Sequence, residues 1–384
     1  MQEQERVIRC LDRIPGLSDE ERARLRPVLE RFEFRVSPYY AGLVDWSDPA
    51  DPLRRMVLPA VEEGTSDLEF DASSEVENIP AQGVQHKYGP TALLLVTDVC
   101  AAYCRFCFRK RFTLARDTDQ HLHPPGESNG SEKETTLDVR PGIAYIAGRP
   151  EISNVLLTGG DPLILAPHRL EPILASLRAI PHVRTIRIGT KIPAFDPGQI
   201  SPAMLDVLAR HSLPGRRVYI MAHFTHSREL TRLALQKVTE MLERGLVLVN
   251  QAPLLRGIND DPAEIAALFG TLADAGVTPY YLFHCRPTFG NEAFMMSLQE
   301  GLQIVLQARR RLSGLGKRFR YVASHASGKI EIVGQVGDDL ILRYHEARRP
   351  EDEGRLLAWP ADRQLLWPDE AVAELCEEAP AELL

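Results

Sequence analysis

Three of the six cysteines lie close together in the run Cys100-Ala-Ala-Tyr-Cys104-Arg-Phe-Cys107. Thiolates are soft ligands that select iron–sulfur clusters, zinc or copper(I). Their spacing places three sulfur atoms on one short loop, close enough to bind one inorganic centre. The run directly follows residues 92–97, an apolar segment typical of a buried parallel strand. This loop is therefore the first candidate for the chemistry of the chain.

Three interpretations of the loop compete. A structural zinc site needs four protein ligands. A fourth ligand could come from His121 or His123, but these lie in a polar stretch rich in Pro, Gly and Ser and have no ligand-like spacing. Three buried free cysteines are the second interpretation. The third is a [4Fe–4S] cluster held by three cysteines, which leaves one iron without a protein ligand. This spacing, with an aromatic residue before the last cysteine, resembles the radical S-adenosylmethionine (SAM) enzymes, whose open iron takes the amine and carboxylate of SAM.

The bulk properties limit the other classes of function. The chain has 384 residues, of which 44% are hydrophobic and 26% are charged, so a large core can form. A net charge of −8 argues against nucleic acid as the main partner. No apolar run approaches the roughly 18 residues that a membrane helix needs. The scattered cysteines do not form a secreted disulfide framework. We therefore expect a cytoplasmic protein with neither a nucleic-acid nor a membrane partner.

Strand and helix patterns alternate from residue 91 onward, which predicts an α/β fold with a parallel sheet. The predicted strands are 92–97, 154–158, 183–189, 217–223, 246–251 and 278–283, and amphipathic helices are predicted at 168–179, 201–211, 228–244 and 262–275. Six such units predict a partial (β/α)6 barrel of the TIM type, whose chemistry collects at the C-terminal ends of the strands.

The predicted organisation has three parts. Residues 1–85 form an N-terminal helical extension that begins with two amphipathic helices within residues 1–33. Residues 86–290 form the core, with an inserted loop at about 114–136. Residues 291–384 form a C-terminal, β-rich segment with strand patterns at 318–324, 329–334 and 340–345, followed by a peripheral acidic tail.

Two further motifs could take part in the chemistry. Thr158-Gly159-Gly160-Asp161-Pro162 ends the second predicted strand. Its glycines would let the backbone approach a ligand, and its carboxylate could pair with an ammonium group. Ser327-Gly328-Lys329 joins two strand patterns. Lys329 is either a solvated turn lysine or a lysine that forms a Schiff base with pyridoxal phosphate (PLP).

Together these motifs resemble the lysine 2,3-aminomutase family of radical SAM, PLP-dependent enzymes. The similarity extends from about Trp46 to about Ile332. Short matches in one order carry it: Asp48-Pro-Ala-Asp-Pro-Leu-Arg-Arg, His86-Lys-Tyr, the cysteine loop with Arg109-Lys-Arg-Phe112, Leu156-Leu-Thr-Gly-Gly-Asp-Pro162, Ile186-Arg-Ile-Gly-Thr190, His223-Phe-Thr-His226, Asn250-Gln-Ala-Pro-Leu-Leu-Arg-Gly-Ile-Asn259, Pro279-Tyr-Tyr281 and Gly328-Lys329.

The resemblance implies a role for each matched residue. The three cysteines would hold the cluster, and Lys329 would hold PLP. Arg109 would pair with the substrate α-carboxylate, for which a bidentate guanidinium is suited. The residues implied for SAM are Phe106 beside the adenine, Gly159, Gly160 and Asp161 at the methionine part, and His223 and Gln251. His223 could equally be a hydrogen-bonded core histidine.

Departures from the family pattern concern PLP and the substrate. Thr91 stands where the family has an arginine that helps at the PLP end, and the glycine run before Lys329 is shortened. Lysine enzymes of the family hold the side-chain ammonium with two aspartates. Here the first position is Arg286, and the second falls at Ala323 or Ser324. Because a cation repels an ammonium group in a desolvated pocket, we expect an acidic or neutral side chain, such as that of glutamate, instead of free lysine.

The expected activity is conversion of an α-amino acid to its β-isomer. A one-electron donor such as flavodoxin or ferredoxin would reduce the cluster, and a homo-oligomer is possible. Two alternatives remain open at this point. One is a radical SAM enzyme of the same lineage that lacks PLP or catalyses another radical reaction, and the other is a non-catalytic metal or iron–sulfur binding protein.

Overall fold

A computed structural model describes residues 7–72, 74–113 and 137–377. The predicted loop at 114–136, with His121 and His123, lies outside the described residues. One sheet of eleven strands organises the chain, and the strands lie side by side in sequence order. The strands are β1 (Val84–Tyr88), β2 (Thr91–Thr97), β3 (Asn154–Gly159), β4 (Thr185–Thr190), β5 (Val218–Ala222), β6 (Val247–Leu254), β7 (Thr278–His284), β8 (Arg320–His325), β9 (Gly328–Val336), β10 (Asp339–Ala347) and β11 (Leu356–Pro360).

The central part of the sheet is parallel. Each strand from β2 to β7 pairs in parallel with the next, so that β2 to β8 are all parallel. The six predicted strands correspond to β2–β7, so the predicted α/β fold with a partial barrel is confirmed. The strand pattern at 318–324 forms β8, a seventh parallel strand. The three-part division of the chain stays a prediction, although one sheet extends across the boundary placed at 290.

Helices connect the parallel strands, as right-handed βαβ units require. The helices are α1 (Asp19–Arg31), α2 (Pro38–Ala41), α3 (Pro52–Val57), α4 (Lys110–Thr113), α5 (Arg140–Ala147), α6 (Pro167–Ala179), α7 (Ile192–Phe195), α8 (Pro202–Arg210), α9 (Arg232–Glu243), α10 (Pro262–Asp274), α11 (Leu298–Arg310) and α12 (Asp369–Glu377). Side chains buried between this layer and the sheet form the main core, for example Ile186, Ile188, Leu205 and Leu208.

Side chains alternate along the sheet in a way that leaves one face open. In β4, Ile186, Ile188 and Thr190 are buried, whereas Arg187 and Gly189, which alternate with them, are half-buried. Successive strand residues point to opposite faces. One face of β4 therefore packs in the core, and the other lines a partly open interior.

Antiparallel strands complete both edges of the sheet. β1 pairs antiparallel with β2, and β9, β10 and β11 continue antiparallel from β8. Gly337, with φ of 57°, turns the predicted hairpin between β9 and β10. The tail is less peripheral than predicted, because β11 belongs to the sheet and its Trp359 is fully buried.

The first predicted N-terminal helix is wrong. Only α1 forms among the described residues before Phe32, and Ser18 caps it by accepting a hydrogen bond from the Glu21 amide. Upstream, Leu11–Arg13 makes a single 3-10 turn, and Ile8 forms an antiparallel bridge to Val36. Pairing with residue 36 holds this segment extended, which outweighs its weak helical pattern.

Candidate active site

The predicted site residues lie at or near one edge of the sheet. Cys100 follows the end of β2, Gly160 and Asp161 follow β3, His223 follows β5, and Arg286 follows β7. The C-terminal ends of parallel strands meet at the same edge. The topology therefore brings together residues that are far apart in sequence.

The three cysteines of the loop are less buried than the residues between the first two of them. Cys100, Cys104 and Cys107 are partly buried, while Ala101, Ala102 and Tyr103 are fully buried. All three cysteines are free. Burial raises the pKa of Cys100, and it raises the pKa of Cys104 to about 12. A bound iron would relieve this cost, because coordination stabilises the thiolate.

Three buried charges fix the loop to the N-terminal segment. Arg105 donates from Nε and Nη2 to the two carboxylate oxygens of Glu63, at 3.0 and 2.8 Å. Lys110 Nζ lies 3.4 Å from the same carboxylate. All three side chains are at most 3% exposed. This ion cluster sets where the cysteine loop lies.

The three thiolates of the loop are the soft ligands that an iron–sulfur cluster needs. In the described ranges, no three His, Cys, Asp or Glu side chains form a group that could hold one metal ion. The assignment of Cys100, Cys104 and Cys107 therefore depends on their motif and shared loop.

The glycine pair at the end of β3 has a packing role, while its predicted contact with SAM stays a prediction. A Cβ on Gly159 would lie 2.4 Å from the Thr97 carbonyl oxygen, and a Cβ on Gly160 would lie 2.3 Å from that of Val99. Gly159 also has φ of 109°, which favours glycine. The two glycines therefore let β3 pack against the backbone that leads into the cysteine loop.

Asp161 connects the ends of two strands. Its Oδ1 accepts hydrogen bonds from the Leu163 amide and the Thr190 hydroxyl, at 3.0 and 2.7 Å. Its Oδ2 accepts from the amides of Lys191 and Ile192, at 2.6 and 3.1 Å. A carboxylate offers about four acceptor positions, so protein donors use its capacity in this arrangement. Direct contact of Asp161 with a ligand amine stays a prediction.

His223 is neutral and hydrogen-bonded. The Gln251 amide donates to His223 Nε2 at 2.7 Å. Burial, followed by the charges of Lys191 and Arg109, lowers the pKa of His223 to about 3. The structure thus pairs two residues predicted for SAM. Phe106, a third, makes an edge-on contact with Phe294.

Arg109 is held on two sides. Its Nη1 donates to Thr158 Oγ1 at 3.0 Å, and its Nη2 lies 3.2 Å from Glu75 Oε1. The side chain is 11% exposed. Its Nε–H is buried and has no hydrogen-bond partner among the described residues. A buried donor without a partner is costly, so Arg109 offers one unused donor to an anionic ligand.

Arg286 and Arg109 both contact the ring of Phe108. The guanidinium carbons lie 4.1 and 4.6 Å from the ring centroid, within cation–π range. Burial lowers the pKa of Arg286 to about 10, while the nearby Glu75 carboxylate opposes this shift. In the part of the chain that the structure describes, no carboxylate forms an ion pair with Arg286.

Lys329 begins β9 and lies among aromatic rings. Its Nζ is 4.7 Å from the ring centroid of Tyr88 and 5.7 Å from that of Tyr281. It donates a hydrogen bond to Glu346. The charges of Arg286 and Lys329 both contribute to lowering the pKa of Lys87 to about 7, after burial as the main cause. The predicted PLP lysine is therefore close enough to the arginine site to share its electrostatic field.

Gly328, next to Lys329, stands where the two strands of the hairpin approach closely. A Cβ on Gly328 would lie 2.2 Å from the Glu346 carbonyl oxygen, so only glycine lets the hairpin close here. Behind the turn, Ser327 Oγ is 2.7 Å from both His325 Nδ1 and the Tyr344 hydroxyl. His325 Nε2 is 2.7 Å from Asp369 in α12. These bonds hold the shortened glycine run in a defined turn.

The sequence analysis did not identify several residues of the candidate site. Glu63 and Glu75 come from the segment interpreted as a packing extension, and they form ion pairs with Arg105 and Arg109. Tyr88 and Glu346 surround Lys329. Only the match of His86-Lys-Tyr to the family could have singled out Tyr88.

Relatives with known descriptions match most of the chain. An Aquifex aeolicus protein named "Putative L-lysine 2,3-aminomutase" is 44% identical over 367 residues, which cover 94% of each chain. The L-lysine 2,3-aminomutase of Clostridium subterminale is 33% identical over 86% of this chain and 77% of its own length. Streptococcus suis SuiB bound to SAM covers 62% of this chain and 51% of that chain, at 12% identity and a TM-score of 0.41, too weak a likeness to support an argument. No protein-family model matches the chain.

The parallel sheet and the three-cysteine loop at its C-terminal edge are those of a radical SAM enzyme. The chain belongs to the lysine 2,3-aminomutase family. It is an aminomutase whose cofactors are a [4Fe–4S] cluster, SAM and PLP, and whose substrate is an amino acid. No helix in the described part of the chain is long and apolar enough to cross a membrane.

Proposed function

We propose that the enzyme is a 2,3-aminomutase for an amino acid with an acidic side chain, and that free lysine is not its substrate. The observation that carries this proposal is Arg286, a half-buried guanidinium without a carboxylate partner among the described residues. An ammonium group there would face a cation at close range, whereas a carboxylate would form a charge-assisted hydrogen bond.

The proposed residue roles follow from chemistry and position. Cys100, Cys104 and Cys107 hold the cluster, and Lys329 holds PLP. His223 and Gln251, joined by their hydrogen bond, contact SAM together with Phe106 and the backbone at Gly159 and Gly160. Asp161 acts mainly by fixing the ends of β3 and β4. When bound, SAM at the reduced cluster supplies the radical that removes hydrogen from the β-carbon, and PLP supplies the π-system that lets nitrogen migrate.

Arg109 and Arg286 would orient the substrate. Arg109 binds the α-carboxylate through its unused Nε–H, while Glu75 and Thr158 keep the guanidinium in place. Arg286 binds the side-chain carboxylate on the ring of Phe108. Two cations that contact one ring suit a short dicarboxylic amino acid such as glutamate. Neither Ala323 nor Ser324 supplies a negative charge to this region.

Substrate turnover tests the proposal. The anaerobically reconstituted enzyme is incubated with SAM, PLP, dithionite and either L-glutamate, L-lysine or a neutral amino acid, and β-amino acid products are identified by chiral chromatography and mass spectrometry. We expect the product of the acidic substrate. Efficient turnover of lysine would contradict the charge argument.

Two variants sharpen the assay. Arg286→Gln removes the charge, and we expect KM for the acidic substrate to rise about tenfold or more, since a hydrogen bond to a charged group contributes about 1.5–3 kcal/mol. Arg311→Gln is the matched control, because Arg311 is exposed at the end of α11. Equal kinetics for the two variants would remove Arg286 from the site.

We also propose a cytoplasmic location and a small one-electron donor such as flavodoxin or ferredoxin. An oxygen-sensitive cluster needs a reducing compartment, which supports both proposals. Turnover that depends on an added flavodoxin system in place of dithionite tests the donor.

A further inference from the structure

Lys329 faces a carboxylate because the hairpin contains a β-bulge. Along β9 and β10, Tyr344 pairs with Ile330, but the next pair is Glu346 with Lys329. The register shift leaves His345 as the extra residue. In a bulge, two residues of one strand oppose one residue of the other. Without the shift, His345 would occupy the position opposite Lys329.

Both bulge residues are used around the lysine. Glu346 accepts a hydrogen bond from Lys329 Nζ. His345 Nε2 lies 2.8 Å from the hydroxyl of Tyr281, whose ring faces the same Nζ. The bulge therefore places a proton acceptor on the lysine and fixes one of the two rings beside it.

The lysine is largely shielded from solvent, with a side chain that is 18% exposed. Burial lowers the pKa of Lys329, and Glu346 is the strongest opposing influence. The charged and titratable groups that act on Lys329, or on which it acts, come from several elements: Lys87 and Tyr88 of β1, Arg187 of β4, Tyr281 of β7, His345 and Glu346 of β10, and Glu353.

We propose that Glu346 is the proton partner of Lys329, a role that rests on the proposed binding of PLP to that lysine. In the resting enzyme, Glu346 holds Lys329 as an ammonium group. On binding of PLP, Glu346 would accept one proton from the Nζ ammonium group, which frees the nitrogen lone pair for a bond to the aldehyde carbon. The aldehyde oxygen would leave as water with two protons that both come from Nζ: Glu346 would return one, and the nitrogen would give up the other, so that Glu346 ends as a carboxylate again.

The test measures the amine of Lys329 directly and without PLP. The full-length protein is labelled with an amine-reactive acylating reagent across a range of pH, and the extent of labelling at Lys329 is read by peptide mass spectrometry. Glu346→Gln keeps size and polarity but removes the charge. We expect the midpoint of labelling to fall by about one pH unit or more, because burial then acts unopposed.

Two further variants keep the result interpretable. Glu331→Gln removes another charged residue of the same hairpin, which forms ion pairs with Arg320 and Arg343, and we expect the Lys329 midpoint to stay unchanged. Glu346→Asp draws the charge back by one methylene, and we expect a smaller fall in the midpoint. If Glu346→Gln does not fold, this second variant decides, because a midpoint equal to or above the wild-type value in either variant overturns the proposal.

A parallel titration separates this proposal from the function on which it rests. PLP is added across the same pH range, and absorbance near about 410–420 nm reports its bond to a lysine. We expect capture by Glu346→Gln to begin at lower pH than capture by the wild type. If the wild type and Lys329→Ala give the same absorbance, the proposed PLP site is wrong, while the labelling result for Glu346 still stands.

Discussion

Replacing Glu63 by glutamine should loosen the cysteine loop from the rest of the chain. The carboxylate of Glu63 is 3% exposed and neutralises Arg105 and Lys110, both fully buried. A glutamine keeps the shape of the side chain and some hydrogen bonds, but it leaves two buried cations without a counter-charge. Removing one partner of a buried ion pair costs about 3–5 kcal/mol. We expect a loss of that size in the free energy of unfolding.

Urea unfolding at pH 7.5 measures this loss, and anaerobic iron and sulfide analysis measures its effect on the loop. Glu300→Gln is the matched control. Glu300 forms an ion pair with Arg256 at 2.6 Å, but their side chains are 41% and 45% exposed, and exposed pairs contribute about 0–1 kcal/mol. If the two variants lose the same small amount of stability, the buried ion cluster does not hold the loop as argued here.

The same carboxylate predicts how stability depends on pH. Arg105 and Lys110 outweigh burial and lower the pKa of Glu63. A carboxyl group with a lower pKa in the folded state than in the unfolded state contributes stability above the unfolded pKa, and this contribution is lost as pH falls through the folded value. The stability difference between the wild type and Glu63→Gln should therefore be full at pH 7 and shrink below about pH 4.3. A difference that grows on acidification would refute the reasoning.

Three other outcomes follow from the site. Gly160→Ala places a methyl group 2.3 Å from the backbone of Val99. We expect urea unfolding to show a loss of about 1–3 kcal/mol in stability and iron analysis to show a reduced iron content. Native iron content would contradict this. Burial lowers the pKa of His223 to about 3. The neutral ring therefore contributes its full stability above the unfolded pKa of about 6.5, and this contribution is lost as the pH falls toward 3. NMR of the His223 ring should show no titration between pH 5 and 8. Arg109→Lys loses the planar guanidinium that hydrogen-bonds to Thr158 and Glu75. We expect KM for the amino acid to rise about tenfold or more, with little change in the free energy of unfolding. An unchanged KM would remove Arg109 from the substrate site.

Strand periodicity predicted the parallel sheet well because each strand is an apolar run of a few residues between turn signals. It missed β1, whose sequence Val-Gln-His-Lys-Tyr is short and polar. That strand is held by antiparallel pairing with β2, a tertiary contact with no local signature. β11 was also not predicted, because it lies within an acidic, Pro-rich segment that has no clear strand pattern. Local sequence patterns therefore fail for strands that form mainly because a neighbouring strand pairs with them.

The residues of the candidate site also fall into those that local sequence motifs identify and those that they do not. The cysteines and Lys329 stand in short motifs, so the sequence alone identified them as candidates. The counter-charges could not be found, because Glu63 and Glu75 lie 42 and 34 positions from their arginine partners. No periodicity connects residues at such separations. Asp161 shows the reverse case, where a motif residue was predicted to bind a ligand and the structure gives its oxygens to four protein donors.

Charge pairing refines the meaning of the basic run after the cysteines. The sequence at 109–111 is Arg-Lys-Arg, and the resemblance to the family implied a substrate role for Arg109 alone. In the structure, Lys110 pairs with Glu63, and Arg111 lies 3.4 Å from both Asp71 and Glu75. Arg109 pairs with Glu75 as well, but its buried Nε–H has no hydrogen-bond partner among the described residues.

The N-terminal segment therefore does more than pack against the sheet, because it neutralises most of the basic run. What remains is Arg109 with one donor, and Arg286, which lies on the same Phe108 ring without a carboxylate partner in the described ranges. A desolvated cation such as Arg286, which has no carboxylate partner there, favours a ligand that brings the missing negative charge. The proposed preference for an acidic substrate therefore rests on two features: acids of the protein already occupy Lys110 and Arg111, and no carboxylate of the described residues forms an ion pair with Arg286.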